Sequence, residues 1–213
     1  MIRVLFLLGL VTGAGYLLVP DDANTLLRVS LKAAPVLCLA AALLLRGGRG
    51  APTRLILVGL GLSAVGDVLL SLPGEGYFLP GLVAFLLAHL GYIAAFLWHE
   101  RRLAPLRLLP FLTWGAVAAL VLGPKLGEML VPVIVYLCVI QTMMWRAAAR
   151  DLSLPAARLA LIGALTFGVS DSVLAFDLFH TPFGAADLIV MLTYWAGQLG
   201  ITASAMQAAA PQR

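Results

Sequence analysis

The chain has 213 residues, 62% of them hydrophobic and 11% charged, with a net charge of +4. A soluble domain carries roughly 25% charged residues, so this composition excludes a soluble globular protein. The mean hydropathy is +1.02, and the apolar residues come in blocks close to the ~20 residues needed to cross a bilayer. The reading is an all-α polytopic membrane protein with almost no soluble mass. In that setting the basic excess carries no nucleic-acid message.

In chain order, the sequence predicts eight spans at about 2–19, 26–45, 54–72, 78–98, 107–123, 128–145, 158–178 and 184–206, within a single transmembrane domain of residues 1–213. Turn residues or charges separate them: Pro20-Asp21-Asp22, Arg46 to Gly50, Pro73-Gly74-Glu75-Gly76, Glu100-Arg101-Arg102, Gly123-Pro124-Lys125, Arg146 to Arg158, and His180-Thr181-Pro182. Helices are the expected spanning form, because the stretches are too long for barrel strands and do not alternate. The first span also fits a signal peptide, with Arg3, an apolar run and small residues at Gly13-Ala14-Gly15. Its apolar run reaches Val19, beyond the roughly 7–15 residues of a signal core.

Orientation follows from Lys and Arg. Arg46, Arg49 and Arg54 surround the second loop, Arg101, Arg102 and Arg107 the fourth, and Arg146, Arg150 and Arg158 the sixth, while Arg3 and Arg213 mark the ends. The odd loops hold Arg28 and Lys125, and Lys32 lies inside a span. Eleven of the fourteen basic residues thus fall on one side, which places both termini in the cytoplasm.

Asp67 and Asp171 sit deep in the third and seventh spans, in similar surroundings (LGLSAVGDVLL and ALTFGVSDSVL). An ionisable group at membrane depth is costly and marks a functional site by default. Asp67 stands 13 residues from Arg54 and Asp171 13 from Arg158; His89 is 12 from Arg101, Lys32 14 from Arg46, and Tyr194 13 from Gln207. At 1.5 Å per residue all five lie about 18–21 Å from the cytoplasmic edge. In a core ~30 Å thick that is one layer, somewhat past the midplane.

The faces agree with the depths. Phe78, Gly81, Phe85, His89, Tyr92 and Phe96 follow steps of three and four, as one helical stripe does. Asp187, Met191, Tyr194, Gln198 and Thr202 or Ala205 form another; Gly59, Ser63 and Asp67 share a face, as do Gly163, Phe167 and Ser170 or Asp171. Small residues on these faces allow close helix approach. A faint repeat links the third and fourth spans with the seventh and eighth, each an aspartate helix, a short outer loop and a polar-striped helix, consistent with a pseudo-twofold along the membrane normal.

Structural roles compete with functional ones at each position. Either aspartate could cap a helix or bond a hydroxyl; His89 could be a satisfied interior donor; Lys32 could pair with an aspartate or snorkel. Tyr92 and Tyr194 could simply pack. Glu75, Asp177 and Asp187 belong to outer loops or span ends, and His180 to a solvated loop. Trp98 and Trp145 fit an interfacial belt, with Trp114 and Trp195 as anchors or packing groups. Cys38 and Cys138 both fall mid-span, which argues against a disulfide framework. One His with two separated Asp makes a poor zinc set, so no metal and no cofactor are expected.

Gly66-Asp67, Phe78-x-x-Gly81-x-x-x-Phe85-x-x-x-His89-x-x-Tyr92, Gly163-Ala164-x-x-Phe167-x-x-Ser170-Asp171, Tyr194-x-x-x-Gln198 and Lys32-x-x-Pro35, in this order, resemble the YhhN family of integral membrane lysoplasmalogenases. The resemblance runs over nearly the whole chain. It implies an eight-helix enzyme that hydrolyses the vinyl-ether bond of lysoplasmalogens to a fatty aldehyde and glycerophospho-ethanolamine or -choline.

Vinyl-ether hydrolysis needs a proton donor and a group that orients and deprotonates water. Two carboxyl groups can divide those roles, as in glycosidases, where the cation is similar. Asp67 and Asp171 are the expected catalytic pair. His89 and Tyr92 would tune or relay protons, and Ser170, Tyr194 and Gln198 would bind the substrate or position water. Lys32 would hold phosphate as a point charge. The expected partners are a lysophospholipid substrate and membrane lipid, in a bacterial inner membrane. The alternative is a proton-coupled lipid or small-molecule transporter using the same aspartates. Transporters usually show Gly/Pro-broken helices in corresponding halves; Pro35, Pro110 and Pro132 are present, but none interrupts an aspartate helix.

Overall fold

The structure, a computed structural model, describes residues 1–20, 23–48 and 50–208; the expectations placed on Asp21, Asp22, Arg49 and Arg213 lie outside the described residues. Among these described residues, eight α-helices follow one another: α1 (Ile2–Leu18), α2 (Thr25–Leu45), α3 (Ala51–Ser71), α4 (Phe78–His99), α5 (Leu109–Leu122), α6 (Leu130–Ala148), α7 (Pro155–Phe179) and α8 (Ala186–Ala208). Among the described residues no strand forms. Seven of the segments are long and apolar enough to cross a membrane; α1, with 17 residues, is a shorter apolar helix. At 1.5 Å per residue α1 is about 25 Å long, less than a ~30 Å hydrocarbon core. The protein is an integral membrane protein, and its helices match the eight expected spans closely.

The helix ends have local causes. Asn24 caps α2, its side-chain oxygen accepting from the amides of Leu26 and Leu27 at 2.9 and 3.3 Å. This satisfies two of the amides that a helix start leaves open. Beyond α2, Gly47 takes φ +82°, a left-handed conformation that glycine adopts without a Cβ penalty. Prolines open α3, α5 and α7, where the missing amide costs nothing. The fifth span tightens into 3-10 turns at Pro105–Leu108 and Gly123–Lys125. Prolines in both turns explain why its α-helical part is shorter than the apolar run.

The chain forms two compact units, residues 1–95 with the chain from Ala205, and residues 96–204. In the first, α1 packs on α2 and α2 on α3. Gly91 of α4 brings α4 against α3, for a Cβ there would lie 3.1 Å from the Leu55 carbonyl oxygen. In the second, α5, α6 and α7 pack together. Gly163 of α7 and Gly197 and Gly200 of α8 meet backbone to backbone. The outward residues are large and apolar, Leu106 and Leu120 being 80% and 77% exposed, as a lipid-facing surface requires. With lipid as apolar as leucine, helix association depends on close packing and polar contacts between helices.

The sixth loop departs from the expectation that its arginines only orient the chain. Arg146 lies in the last turn of α6 and is 2% exposed. Its guanidinium donates to the carbonyls of Arg102 at 2.9 Å and Glu100 at 2.5 Å. Arg107 donates to the carbonyls of Ala148 at 2.6 Å and Arg150 at 2.9 Å, the end of α6. Trp145 Nε1 donates to the carbonyl of Ala104, which sits at φ +47°. Arg150 donates to Ser204 Oγ at 3.2 Å and lies over the Phe96 ring. Burial lowers the pKa of this guanidinium. The turn into α7 is closed by Asp151, which accepts from the Ser153 amide at 3.0 Å; that bond holds its carboxyl below the usual carboxylate range. Cations that the sequence offers as topology signals therefore also satisfy carbonyls at helix ends and in the loop from 100 to 104.

Gly163→Ala is expected to destabilise the protein by about 1–3 kcal/mol, since the new Cβ would lie 2.6 Å from the Ile201 backbone nitrogen. Gly61→Ala, where a Cβ meets nothing within 4 Å, is expected to be neutral or stabilising by about 0.4–1 kcal/mol. Thermal unfolding in detergent compares the two. Arg146→Leu is expected to cost roughly 1–3 kcal/mol for each carbonyl left without its donor, seen as a lower midpoint in the same assay.

Candidate active site

In the first unit, the site residues come from α3 and α4. Asp67 is 1% exposed, with Ser63 fully buried one turn before it on α3. On α4, Phe85, His89, Tyr92 and Phe96 are all buried, so the stripe read from the sequence is an interior face. Gly59 is what admits Tyr92: a Cβ there would run into the phenol ring. Gly66 does the same for Phe85, whose ring would stand 2.6 Å from an added Cβ. The Tyr92 hydroxyl thereby reaches Ser63 Oγ at 3.4 Å. His89 lies edge-on to Tyr92 with ring centroids 6.3 Å apart. Its Nδ1 donates to the Phe85 carbonyl at 2.7 Å, which fixes the ring. Lys32, on α2, is half-buried.

In the second unit, α6, α7 and α8 supply the polar groups. Asp171 is half-buried on α7. Its Oδ2 accepts a hydrogen bond of 2.5 Å from the Tyr136 hydroxyl of α6. Ser170, 1% exposed, donates to the Val190 carbonyl of α8 at 2.9 Å. Tyr194 is 3% exposed and meets Phe167 edge-on at 5.3 Å. Gln198 is fully buried and Met191 nearly so. Asp187, at the start of the same stripe, is exposed, as expected for a span end.

The structure thus brings Ser63, His89 and Tyr92 together in one unit and Asp171 with Tyr136 in the other. Ser170 is engaged with the α8 backbone, a contact that sets helix packing. Tyr136 is the residue that sequence reasoning missed. The signal was present: Tyr136 stands 14 residues before Arg150, hence about 21 Å from the same membrane edge. Nothing else on α6 marks that depth, since no Asp, Glu, His or Lys stands in Leu130–Ala148.

A hollow of about 510 Å³ is lined by Trp114, Val169, Ser172, Val173, Phe176 and Phe183. Its α7 residues lie on the face opposite Asp171 at about 100° per residue. Trp114 Nε1 donates to Ser172 Oγ at 3.0 Å, so its polar groups satisfy each other and the wall presented is apolar. Among the described residues, no three of His, Cys, Asp and Glu gather into a group able to hold a metal ion.

Long apolar helices with buried polar side chains inside each unit define a polytopic helical membrane protein. The chain belongs to the YhhN family, which it matches over residues 27–205. It is 40% identical to human lysoplasmalogenase TMEM86B over 91% of this chain and 82% of that protein. It is 33% identical to human lysoplasmalogenase TMEM86A over 90% of this chain and 83% of the relative. The lysoplasmalogenase of Mycobacterium tuberculosis is 33% identical over 84% and 70% respectively. No solved structure matches the chain.

Gly59→Ala is expected to push Tyr92 away from Ser63 and to lower stability by about 1–3 kcal/mol. Adding Tyr92→Phe in the Gly59→Ala background should cost less than it does in the wild type, because the hydroxyl contact is already lost. Equal costs in the two backgrounds, read by thermal unfolding, would contradict this packing.

Proposed function

We propose that this protein is a lysoplasmalogenase that hydrolyses the vinyl-ether bond of a lysoplasmalogen, yielding a fatty aldehyde and glycerophospho-ethanolamine or -choline. The observation that supports it most is similarity over most of the chain to proteins named lysoplasmalogenase. The chemistry is compatible with the polar groups inside each unit. The β carbon of the vinyl ether takes a proton from a carboxyl group, giving an oxocarbenium ion. Water adds to that cation and gives up a proton to a carboxylate. The resulting hemiacetal collapses to aldehyde and alcohol, so one water is consumed and no net proton.

Asp67 and Asp171 are assigned the proton donor and the water-activating carboxylate. Low-dielectric surroundings strengthen each charge interaction with the cation. His89 and Tyr92 are assigned to proton relay or tuning, in keeping with the fixed His89 ring. Ser170, Tyr194 and Gln198 are assigned to the substrate or its water, and Lys32 to the phosphate. The substrate and surrounding lipid are the expected partners. The protein is read as one membrane domain with both termini in the cytoplasm, in a bacterial inner membrane.

Purified protein incubated with lysoplasmenylethanolamine is expected to release aldehyde. Asp67→Asn and Asp171→Asn are each expected to lose at least about 100-fold in kcat, the lower end of what acid–base groups contribute. Near-wild-type turnover in either folded variant would remove that residue from the mechanism. Proton-driven flux in liposomes without aldehyde release would favour a transporter instead.

A further inference from the structure

We propose that Tyr136 is a positioning residue for this hydrolysis: it holds Asp171 by one carboxyl oxygen, leaving the other for the reacting water, and so casts Asp171 as the water-activating, cation-stabilising carboxylate. The inference rests on the function proposed above and deepens it, because two aspartates in similar sequence contexts do not by themselves divide acid from base.

Tyr136 stands on α6 and Asp171 on α7, 35 residues apart in sequence, and their oxygens are 2.5 Å apart. A phenol has one proton to give, and a carboxyl oxygen accepts it. An O–H that faces an ionised carboxylate makes a bond roughly twice as strong as one to a neutral acceptor. Oδ2 is therefore occupied, and the Asp171 rotamer is held from a second helix. The surroundings reinforce this. Gly168, one turn before Asp171, lets Met144 of α6 approach, for a Cβ there would lie 2.5 Å from the Met144 sulfur. On the other side Ser170 ties α7 to α8 through Val190. The α7 backbone that carries Asp171 is thus fixed by neighbours on both sides.

A carboxylate held in this way suits a group that must face a positive oxocarbenium ion and then receive a proton from water. The bond from Tyr136 is strongest while Asp171 carries charge, so it favours that role over proton donation.

The test uses the full-length protein and lysoplasmenylethanolamine. In Tyr136→Phe, kcat is expected to fall about 10- to 100-fold, or ~1.4–2.7 kcal/mol in the barrier, with KM changed less than about twofold. The infrared carboxyl band assigned to Asp171 by its loss in Asp171→Asn should be displaced in Tyr136→Phe. Fluorotyrosines at position 136 keep the ring and the hydroxyl, and kcat should vary with their acidity even if the phenylalanine variant folds poorly. A kcat within about twofold of wild type across these variants, a rise in KM alone, or an undisplaced Asp171 band would overturn the role. A wild-type protein that releases no aldehyde would instead overturn the proposed function, whereas an active wild type with an indifferent position 136 would overturn only the role of Tyr136.

Discussion

Every polar group in this chain that lies at membrane depth has to be satisfied by the protein itself, because hydrocarbon offers no water to bond with. That constraint decides the secondary structure: only helices close their own backbone hydrogen bonds within one segment. It also decides what stands between helices. With no hydrophobic drive separating leucine from lipid, contact depends on surfaces that fit closely. Glycines therefore sit where α3 meets α4 and where α7 meets α8, and large apolar residues face outward. The arrangement inverts the usual soluble pattern, with the bulkiest aliphatic side chains on the surface.

The same constraint gives several polar side chains in the interior a defined geometry. His89 is tied to the Phe85 carbonyl, Ser170 to the Val190 carbonyl and Asp171 to the Tyr136 hydroxyl. At the ends of the helices the constraint acts on arginines. Arg107 and Arg146 each give two bonds to main-chain carbonyls. Arginines that the sequence offers as orienting charges thus also complete the fold by hydrogen bonding. The two roles are compatible because a planar guanidinium has several donors and stays charged.

For function, the consequence is a preorganised interior. Groups that are fixed before substrate arrives need little rearrangement as charge develops. A reaction through an oxocarbenium ion, as proposed here, benefits from that more than one with no charge build-up. The apolar hollow beside Trp114 lies on the other face of α7 from Asp171.

The sequence alone determined the class, the eight helices and the inward faces. Hydrophobic length and 3.6-residue periodicity are local properties, and burial of Phe85, His89, Tyr92 and Phe96 on one face of α4 follows from spacing. It also singled out Asp67 and Asp171, because a charge in an apolar run stands out without any knowledge of neighbours. Tertiary structure decided which groups touch. Tyr136 reads as an ordinary aromatic in an apolar helix until α6 is laid against α7, and Arg146 reads as a loop charge until its guanidinium is seen among carbonyls 44 and 46 residues away. Depth can be counted along one helix from its own ends, whereas a hydrogen bond between helices depends on the rotation and approach of both, which packing sets and no single segment encodes.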